Sequence, residues 1–248
     1  GIKHLCVSKW LGCLEALSLS NNNLDDEGVF FLSKATCLPS LTALDLSSNE
    51  VGALGVKALS LSTSLSNLDS LNLSYNRIEP LGIRALANST FGQRLKTLKL
   101  CDTCLGNEGV EELARYSLKE LEFIDLSENS ISEAGIETLA KSKTFPKLKK
   151  LVLNNNHIGD DGIYALSQSD MFCNLEALFL VNNDLTTDSA ISISKSEILT
   201  QLKILDFNNN DLRAEGTKAL SESSNLKSIQ YLDLGANNLG PEGAEALS

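Results

Sequence analysis

The sequence predicts a curved α/β solenoid, a horseshoe with a parallel sheet on its concave side and helices on its convex side. Three observations predict this fold class. One pattern, clearest at residues 148–166, recurs nine times at a spacing of 27 residues, with a single step of 26. Each copy begins with closely spaced leucines, which in eight of the nine copies lead to an asparagine. Each copy ends with an apolar helical segment, which in eight of the nine copies contains a glycine at one fixed position. A fixed period of this length is typical of stacked repeats.

The repeat frame predicts one solenoid domain of nine units over residues 14–248. The units begin at Leu14, Leu41, Leu68, Leu95, Leu121, Leu148, Leu175, Leu202 and Ile229. Gly1 stands at the frame position of Gly28, so we interpret residues 1–13 as the helical half of an earlier repeat. The sequence stops one residue after the helix residue Leu247 and shows no polar end repeat, which solenoids need. We therefore expect a fragment of a longer chain.

The first half of each unit predicts a short strand that ends at an asparagine. In the sixth unit, Leu151 and Leu153 alternate as the inward-facing residues of the strand. An asparagine amide both donates and accepts hydrogen bonds, so a stack of asparagines can satisfy backbone groups where each repeat turns. Thr103 interrupts this column and is a poorer substitute. The column is Asn22, Asn49, Asn76, Asn129, Asn156, Asn183, Asn210 and Asn237.

The second half of each unit predicts a helix on the opposite side. Pro80 and Pro241 stand where a first helical residue is expected, which suits their fixed φ angle and missing N–H. Asp160 and Asp161 place negative charge near a positive helix end. A glycine recurs four residues after the inner leucine or isoleucine and allows close packing, and only Ser189 departs from it.

The pattern LxxLxLxxNxLxxxGxxxL, followed through the whole chain, resembles the ribonuclease-inhibitor-like leucine-rich repeats. Endings such as GIYAL and GTKAL are also similar to the GALA-type repeats of secreted bacterial effectors, including those of the Legionella type. The resemblance implies the horseshoe fold. The resemblance does not select one function, because relatives include enzyme inhibitors, GTPase activators, immune sensors and effectors.

Composition restricts the partners. The formal net charge of −11 and the pI near 4.7 exclude nucleic acid and anionic membranes and favour a basic protein. No run of 18 apolar residues is present, so we expect no membrane span. The six cysteines have no repeating spacing, which favours a reducing, cytosolic compartment.

Catalytic and metal-binding motifs are absent from the sequence. His4 and His157 have no nucleophile at a recognisable spacing, and no Gly-rich phosphate loop or HExxH occurs. The CxxC at Cys101 and Cys104 lacks the second pair of a zinc site and straddles a strand exit. We therefore predict that the protein is not an enzyme and holds no cofactor or metal.

The candidate binding site lies on the concave face of units five to nine. Early strands present small or polar outward residues, whereas later strands present aromatic and aliphatic residues among charged ones, which describes a protein-binding hot spot. The alternative is ordinary side-by-side packing on a β surface. The predicted partner-binding residues are Phe123, Asp125, Lys150, Val152, Phe179, Val181, Ile204, Asp206, Tyr231 and Asp233. Lys149 and Lys203 are expected to extend the charged rim.

On the helical side, Phe30, Tyr164 and Ile191 stand at positions that are often charged. We expect Phe30 and Phe31 to pack on the missing segment before Gly1 and Trp10 to have a structural role in the same region.

We therefore expect a monomeric interaction protein that binds, and in one outcome inhibits, another folded protein through its concave face. If the bacterial resemblance holds, the chain is a secreted effector in the host cytosol, and its partner is a host protein or another effector. Two alternatives stay open. One is a GTPase activator for a small GTPase, and the other is a substrate-recruiting subunit of a ubiquitin ligase.

Overall fold

The computed structural model describes residues 1–8 and 10–248, and in them nine strands form one parallel sheet in sequence order, β1 to β9. This confirms the predicted α/β solenoid with helices beside an open sheet. The strands are Ala16–Ser18, Ala43–Asp45, Ser70–Asn72, Thr97–Lys99, Phe123–Asp125, Lys150–Val152, Ala177–Phe179, Ile204–Asp206 and Tyr231–Asp233. The helices, α1 to α10, are Ile2–Leu5, Asp26–Ser33, Ala53–Ser60, Glu79–Ala87, Gly106–Arg115, Glu133–Ala140, Gly159–Ser167, Thr187–Ser194, Arg213–Ser221 and Gly240–Ala246. Short 3₁₀ turns lie at Leu11–Cys13, Gly92–Arg94 and Asp170–Phe172.

One continuous core fills the space between the sheet and the helices. The middle residue of each strand points into it, as Leu151 and Leu178 do, and both are fully buried. Leu153 and Phe207 also lie in this core, which runs the length of the solenoid. Because the sheet is parallel and in register, the residues on either side of each middle leucine form two straight columns on the concave face.

The asparagine column joins neighbouring repeats, as predicted. Asn156 Nδ2 donates to Leu153 O of its own unit at 2.9 Å and to Leu126 O of the preceding unit at 3.1 Å. Its Oδ1 accepts from Asn129 N at 3.1 Å and from Ile131 N at 3.0 Å. One buried amide therefore satisfies backbone groups of two turns.

The column is interrupted twice. Thr103 Oγ1 donates to Leu100 O at 2.9 Å, but among the described hydrogen bonds it accepts none from Asn76 N or Ile78 N. This agrees with the expectation that Thr103 is a poorer substitute for asparagine. The second gap is unexpected, because the buried Asn183 Oδ1 has no hydrogen-bond partner among the described residues.

The recurring glycine packs against the preceding repeat. A Cβ atom on Gly162 would lie 3.2 Å from the backbone Cα of Glu133, at the start of the previous helix. On Gly55 it would lie 2.6 Å from Asp26 Oδ1. Ser189, the exception, accommodates its side chain because its hydroxyl donates to the carboxylate of Asp160. The glycine thus sets the distance between adjacent helices.

Candidate functional site

The sheet register brings the predicted site residues together in two columns. Phe123, Lys150, Ile204 and Tyr231 lie in the first column, which also contains Ala177, a residue that the sequence analysis did not include. The second column runs Asp125, Val152, Phe179, Asp206 and Asp233. Val181 lies two residues beyond Phe179, at the exit of β7. The ten residues therefore form one contiguous surface.

The apolar centre of this surface is less exposed than expected. Val152 retains only 9% of its accessible surface, so its prediction as a partner-contacting residue is wrong in that respect. It is covered because it stands beside Phe179 in the adjacent strand, about 4.8 Å away in a parallel sheet. Phe179 and Ile204 are half-buried, and Tyr231 is 52% exposed. The apolar surface offered to a partner is thus centred on Phe179 and Ile204.

Lys150 connects the two aromatic rings of the site. Its ammonium lies 4.6 Å from the ring centroid of Phe179 and 5.1 Å from that of Phe123. Lys99 approaches Phe123 from the other side, at 6.0 Å. Lys150 is exposed and forms no ion pair within the part of the chain that the structure describes. A cation held over two ring faces is free to meet an acidic group of a partner.

An acidic pair follows the apolar centre. Asp206 and Asp233 are neighbours in the second column, and burial, together with the charge of Asp233, raises the pKa of Asp206. The pKa of Asp233 is instead lowered, first by the N–H of Gly235, which donates at 2.9 Å. The Tyr231 hydroxyl donates to Asp233 Oδ2 at 3.1 Å. These two hydrogen bonds hold the Asp233 carboxylate in place, so its negative charge is positioned before a partner arrives.

The expected lysine rim is largely neutralised. Lys149 Nζ lies 2.8 Å from Glu122 Oε2, and Lys203 Nζ lies 2.6 Å from Glu176 Oε2. The pKa of Glu122 is lowered by its hydrogen bond from Lys149. These pairs form a ladder of alternating sign beside the sheet, so the charged rim expected at Lys149 and Lys203 carries both signs and little net charge. The alternating charges are visible in the sequence at the residue that precedes each of the strands β5 to β8.

The structure places His157, Cys101 and Cys104 in different environments. His157 Nδ1 lies 2.9 Å from Asp184 Oδ2 of the next repeat, at an exposed position. Cys101 is buried, and burial raises the pKa of its thiol to about 11, whereas Cys104 is exposed. Within residues 1–8 and 10–248, no cluster of three or more His, Cys, Asp or Glu side chains could hold a metal ion. No helix in these ranges is long and apolar enough to cross a membrane.

Of the two expectations for the aromatic residues near the N-terminus, the one for Trp10 does not hold and the one for Phe30 stays a prediction. Trp10 is 80% exposed, so it does not have the structural role that we expected. Phe30 is also exposed, and its neighbour Phe31 packs under the ammonium of Lys3, 4.1 Å from the ring centroid. These residues lie outside the concave surface.

Comparison with protein families matches the family described as Leucine Rich repeat over residues 13–33, 37–60, 64–87, 146–167, 199–221 and 225–248. These segments make up more than half of the chain. The chain belongs to the leucine-rich repeat family. Proteins of this fold are typically non-enzymatic interaction scaffolds, which agrees with a role in protein binding. No curated protein sequence matches the chain.

Solved structures of other leucine-rich repeat proteins share the fold. Internalin C2 from Listeria monocytogenes is similar with a TM-score of 0.60 at 22% identity, over 88% of this chain and 80% of that one. The structure of the mouse RP105/MD-1 complex is similar with a TM-score of 0.60 at 23% identity, over 95% of this chain and 41% of that one. The chain thus spans less than half of that second structure. At these identities the likeness concerns the fold alone.

Proposed function

We propose that this leucine-rich repeat protein binds a folded partner protein through the concave face of β5–β9. The observation that carries the proposal is the Lys150 ammonium held between the rings of Phe123 and Phe179. Beside it lie the half-buried Ile204 and the carboxylate pair in the next two strands. Aromatic anchors surrounded by positioned charges are characteristic of binding hot spots.

The arrangement defines the partner's chemistry. A partner that inserts an apolar side chain beside Phe179 and Ile204 meets Lys150 on one side and the carboxylates of Asp206 and Asp233 on the other. An acidic group facing Lys150 and a basic group facing the aspartates would therefore complement the site. The net charge of −11 adds long-range attraction for a basic protein.

The size of the concave face favours a protein over a metabolite. Nine strands spaced about 4.8 Å apart give an arc of about 40 Å, close to the width of a small domain. The structure of RP105 as a complex with MD-1 is consistent with this use of the fold in another protein.

We also propose that the chain is a bacterial effector of the ribonuclease-inhibitor-like or GALA type that acts in the cytosol of a host. The regular period of 27 residues supports this proposal. The excess of lysine over arginine, 16 against 5, is a further compositional argument. In this setting, blocking the active site of the bound protein is the simplest consequence of concave binding.

A pull-down from lysates of a host cell and of the source organism tests the proposed site. The test variant is Phe179→Asp/Ile204→Asp. The matched control is Asn72→Asp/Thr97→Asp, which places the same added charge in the same two columns and on the same relative strands, four repeats earlier. We expect a partner held by wild type and control but lost from the test variant, with unchanged far-UV circular dichroism.

A partner retained equally by all three proteins would contradict the concave assignment. If the captured protein is a small GTPase or a ubiquitin-ligase component, a GTP hydrolysis or ubiquitylation assay would distinguish the two alternative functions from simple binding.

A further inference from the structure

A second surface lies on the helical side, between α3 and α4. The facing sides of the two helices form a groove of about 440 Å³. Three leucines line it and remain largely in solvent, with Leu54 and Leu61 each 70% exposed and Leu81 67% exposed. Lys57 and Arg84 line the same groove. Contiguous exposed apolar surface of this kind is uncommon on a soluble protein and marks interaction sites.

The other repeats show that Leu54 and Leu81 are not required by the fold. Both occupy the position before the recurring glycine, in the first turn of the helix, where an acidic residue favours the helix dipole. Six of the nine repeats have an acid there, namely Glu27, Glu108, Asp161, Asp188, Glu215 and Glu242, and one has Ala134. Leucine occurs at this position only in these two adjacent repeats. The first turn of α3 carries no acid, and that of α4 keeps only Glu79, so exposed apolar surface stands here in place of a favourable charge.

Leu61 departs from its frame position in the same way. It follows the last residue of α3, where the other repeats have polar or charged residues, namely Lys34, Asn88, Arg115, Lys141, Gln168, Lys195 and Glu222. Three independent departures from the repeat pattern therefore meet in one groove. Chance scatter of surface leucines does not explain why they line the same depression.

The charges of the groove indicate its occupant. Neither Lys57 nor Arg84 forms an ion pair with any residue that the structure describes. Two unpaired cations beside three leucines complement a segment that carries both apolar and acidic residues. A second copy of this chain fits less well, because it would bring its whole net charge of −11 against an equal charge, whereas a short acidic segment brings only the few carboxylates that face the two cations.

We propose that the groove between α3 and α4 binds an acidic amphipathic helix of a partner protein. Its apolar face would pack on Leu54, Leu61 and Leu81, and its carboxylates would face Lys57 and Arg84. Two parallel helices present the ridges and grooves into which a third helix packs. With eight and nine residues, α3 and α4 extend about 12–14 Å, which corresponds to two to three turns of the bound helix.

The test uses a fluorescein-labelled 15-residue helical peptide with leucines at i, i+3, i+4 and i+7 and glutamates beside them. A second peptide has lysine in place of each glutamate. Fluorescence anisotropy is measured against wild type, the Leu54→Glu/Leu81→Glu variant and the control Ala134→Glu. The test variant restores the residue type that most repeats have, so we expect it to fold, and Ala134 is the equivalent position on α6.

We expect Leu54→Glu/Leu81→Glu to weaken binding of the glutamate peptide at least 10-fold and Ala134→Glu to leave it unchanged. The lysine peptide should bind wild type at least 10-fold more weakly. Absent binding, or equal binding by wild type and the test variant, would overturn the proposal. A dimer seen by sedimentation velocity and removed by the same variant would also overturn it, by showing that a second copy occupies the groove.

The concave variant Phe179→Asp/Ile204→Asp should bind the peptide as wild type does. Failure of the groove proposal would therefore leave the concave-site proposal unaffected, and the reverse also holds.

Discussion

The carboxylate of Asp160 caps a helix to which it does not belong. Asp160 lies in the first turn of α7, but its Oδ1 accepts from Thr186 N at 2.9 Å and its Oδ2 accepts from the Thr186 hydroxyl at 2.6 Å. Thr186 is the N-cap residue of α8. Asp26 does the same for α3, accepting from Gly52 N at 2.7 Å and Gly55 N at 2.8 Å. Acids near these helix starts thus join adjacent repeats.

We predict that Asp160→Ala destabilises the protein by about 1 kcal/mol, within the usual range for loss of a helix cap. The orphan N–H groups at the start of α8 lose their acceptor while the rest of the repeat is unchanged. Asp161→Ala is the matched control, because Asp161 is exposed in the same turn and makes no described hydrogen bond. Urea unfolding measures the free energy of unfolding of both variants. Equal losses of stability would show that the two aspartates act only through the helix dipole.

The contribution of Asp160 should also depend on pH. Burial opposes its ionisation, but hydrogen bonds from Ser189 and Thr186 outweigh burial and leave the pKa below the ordinary value of 3.8. A lowered folded-state pKa means that the stabilisation is complete above 3.8 and is lost as the pH falls through the folded-state value. The difference in unfolding free energy between wild type and Asp160→Asn should therefore shrink as the pH falls below 3.8. A constant difference would contradict this account.

Thr103→Asn should stabilise the protein. The new amide would accept from Asn76 N and Ile78 N, as Asn156 accepts from the preceding unit, and would still donate to Leu100 O. A net hydrogen bond contributes about 0.5–1.5 kcal/mol, and we expect a gain of that size in urea unfolding. The reverse exchange, Asn156→Thr, should destabilise the protein. A loss of stability in Thr103→Asn would mean that the fourth repeat cannot accommodate the amide.

The cysteines should differ sharply in reactivity. Burial raises the pKa of Cys101 to about 11 and also raises that of Cys6, whereas Cys13, Cys104 and Cys173 are exposed. At pH 8, only about one in a thousand Cys101 side chains is in the thiolate form. Alkylation by iodoacetamide, followed by mass spectrometry, should label Cys104 at least 100-fold faster than Cys101. Labelling after unfolding in urea is the control, and equal native rates would reopen a redox role for the CxxC pair.

The elements that repeat were predictable from the sequence, and the contacts between side chains of different repeats were not. Leu151 and Asn156 recur in frame, so their inward position and their turn follow from the period. The burial of Val152 depends on Phe179 in the neighbouring strand, and the capping role of Asp160 depends on how far one helix is offset from the next. The sequence alone assigns Asp160 to its own helix, α7, because the offset between adjacent helices is set by how the repeats stack.

Two surface features are visible in the sequence once the nine units are aligned. The alternating charges at Glu122, Lys149, Glu176 and Lys203 predict the ion-pair ladder once the strands are aligned. Leu54 and Leu81 replace the acid that most repeats have. Comparing every frame position across all nine units, on the helical side as well as on the concave side, would have found both.

The order of the repeats sets the stoichiometry of any assembly built on this chain. The leucine groove belongs to the second and third units and faces away from the concave surface of β5–β9, and the two surfaces share no residue. Since each unit contacts only its neighbours, a ligand on one surface neither blocks nor reshapes the other. If both proposals hold, one molecule would bind two different proteins at once and join them in a ternary 1:1:1 complex.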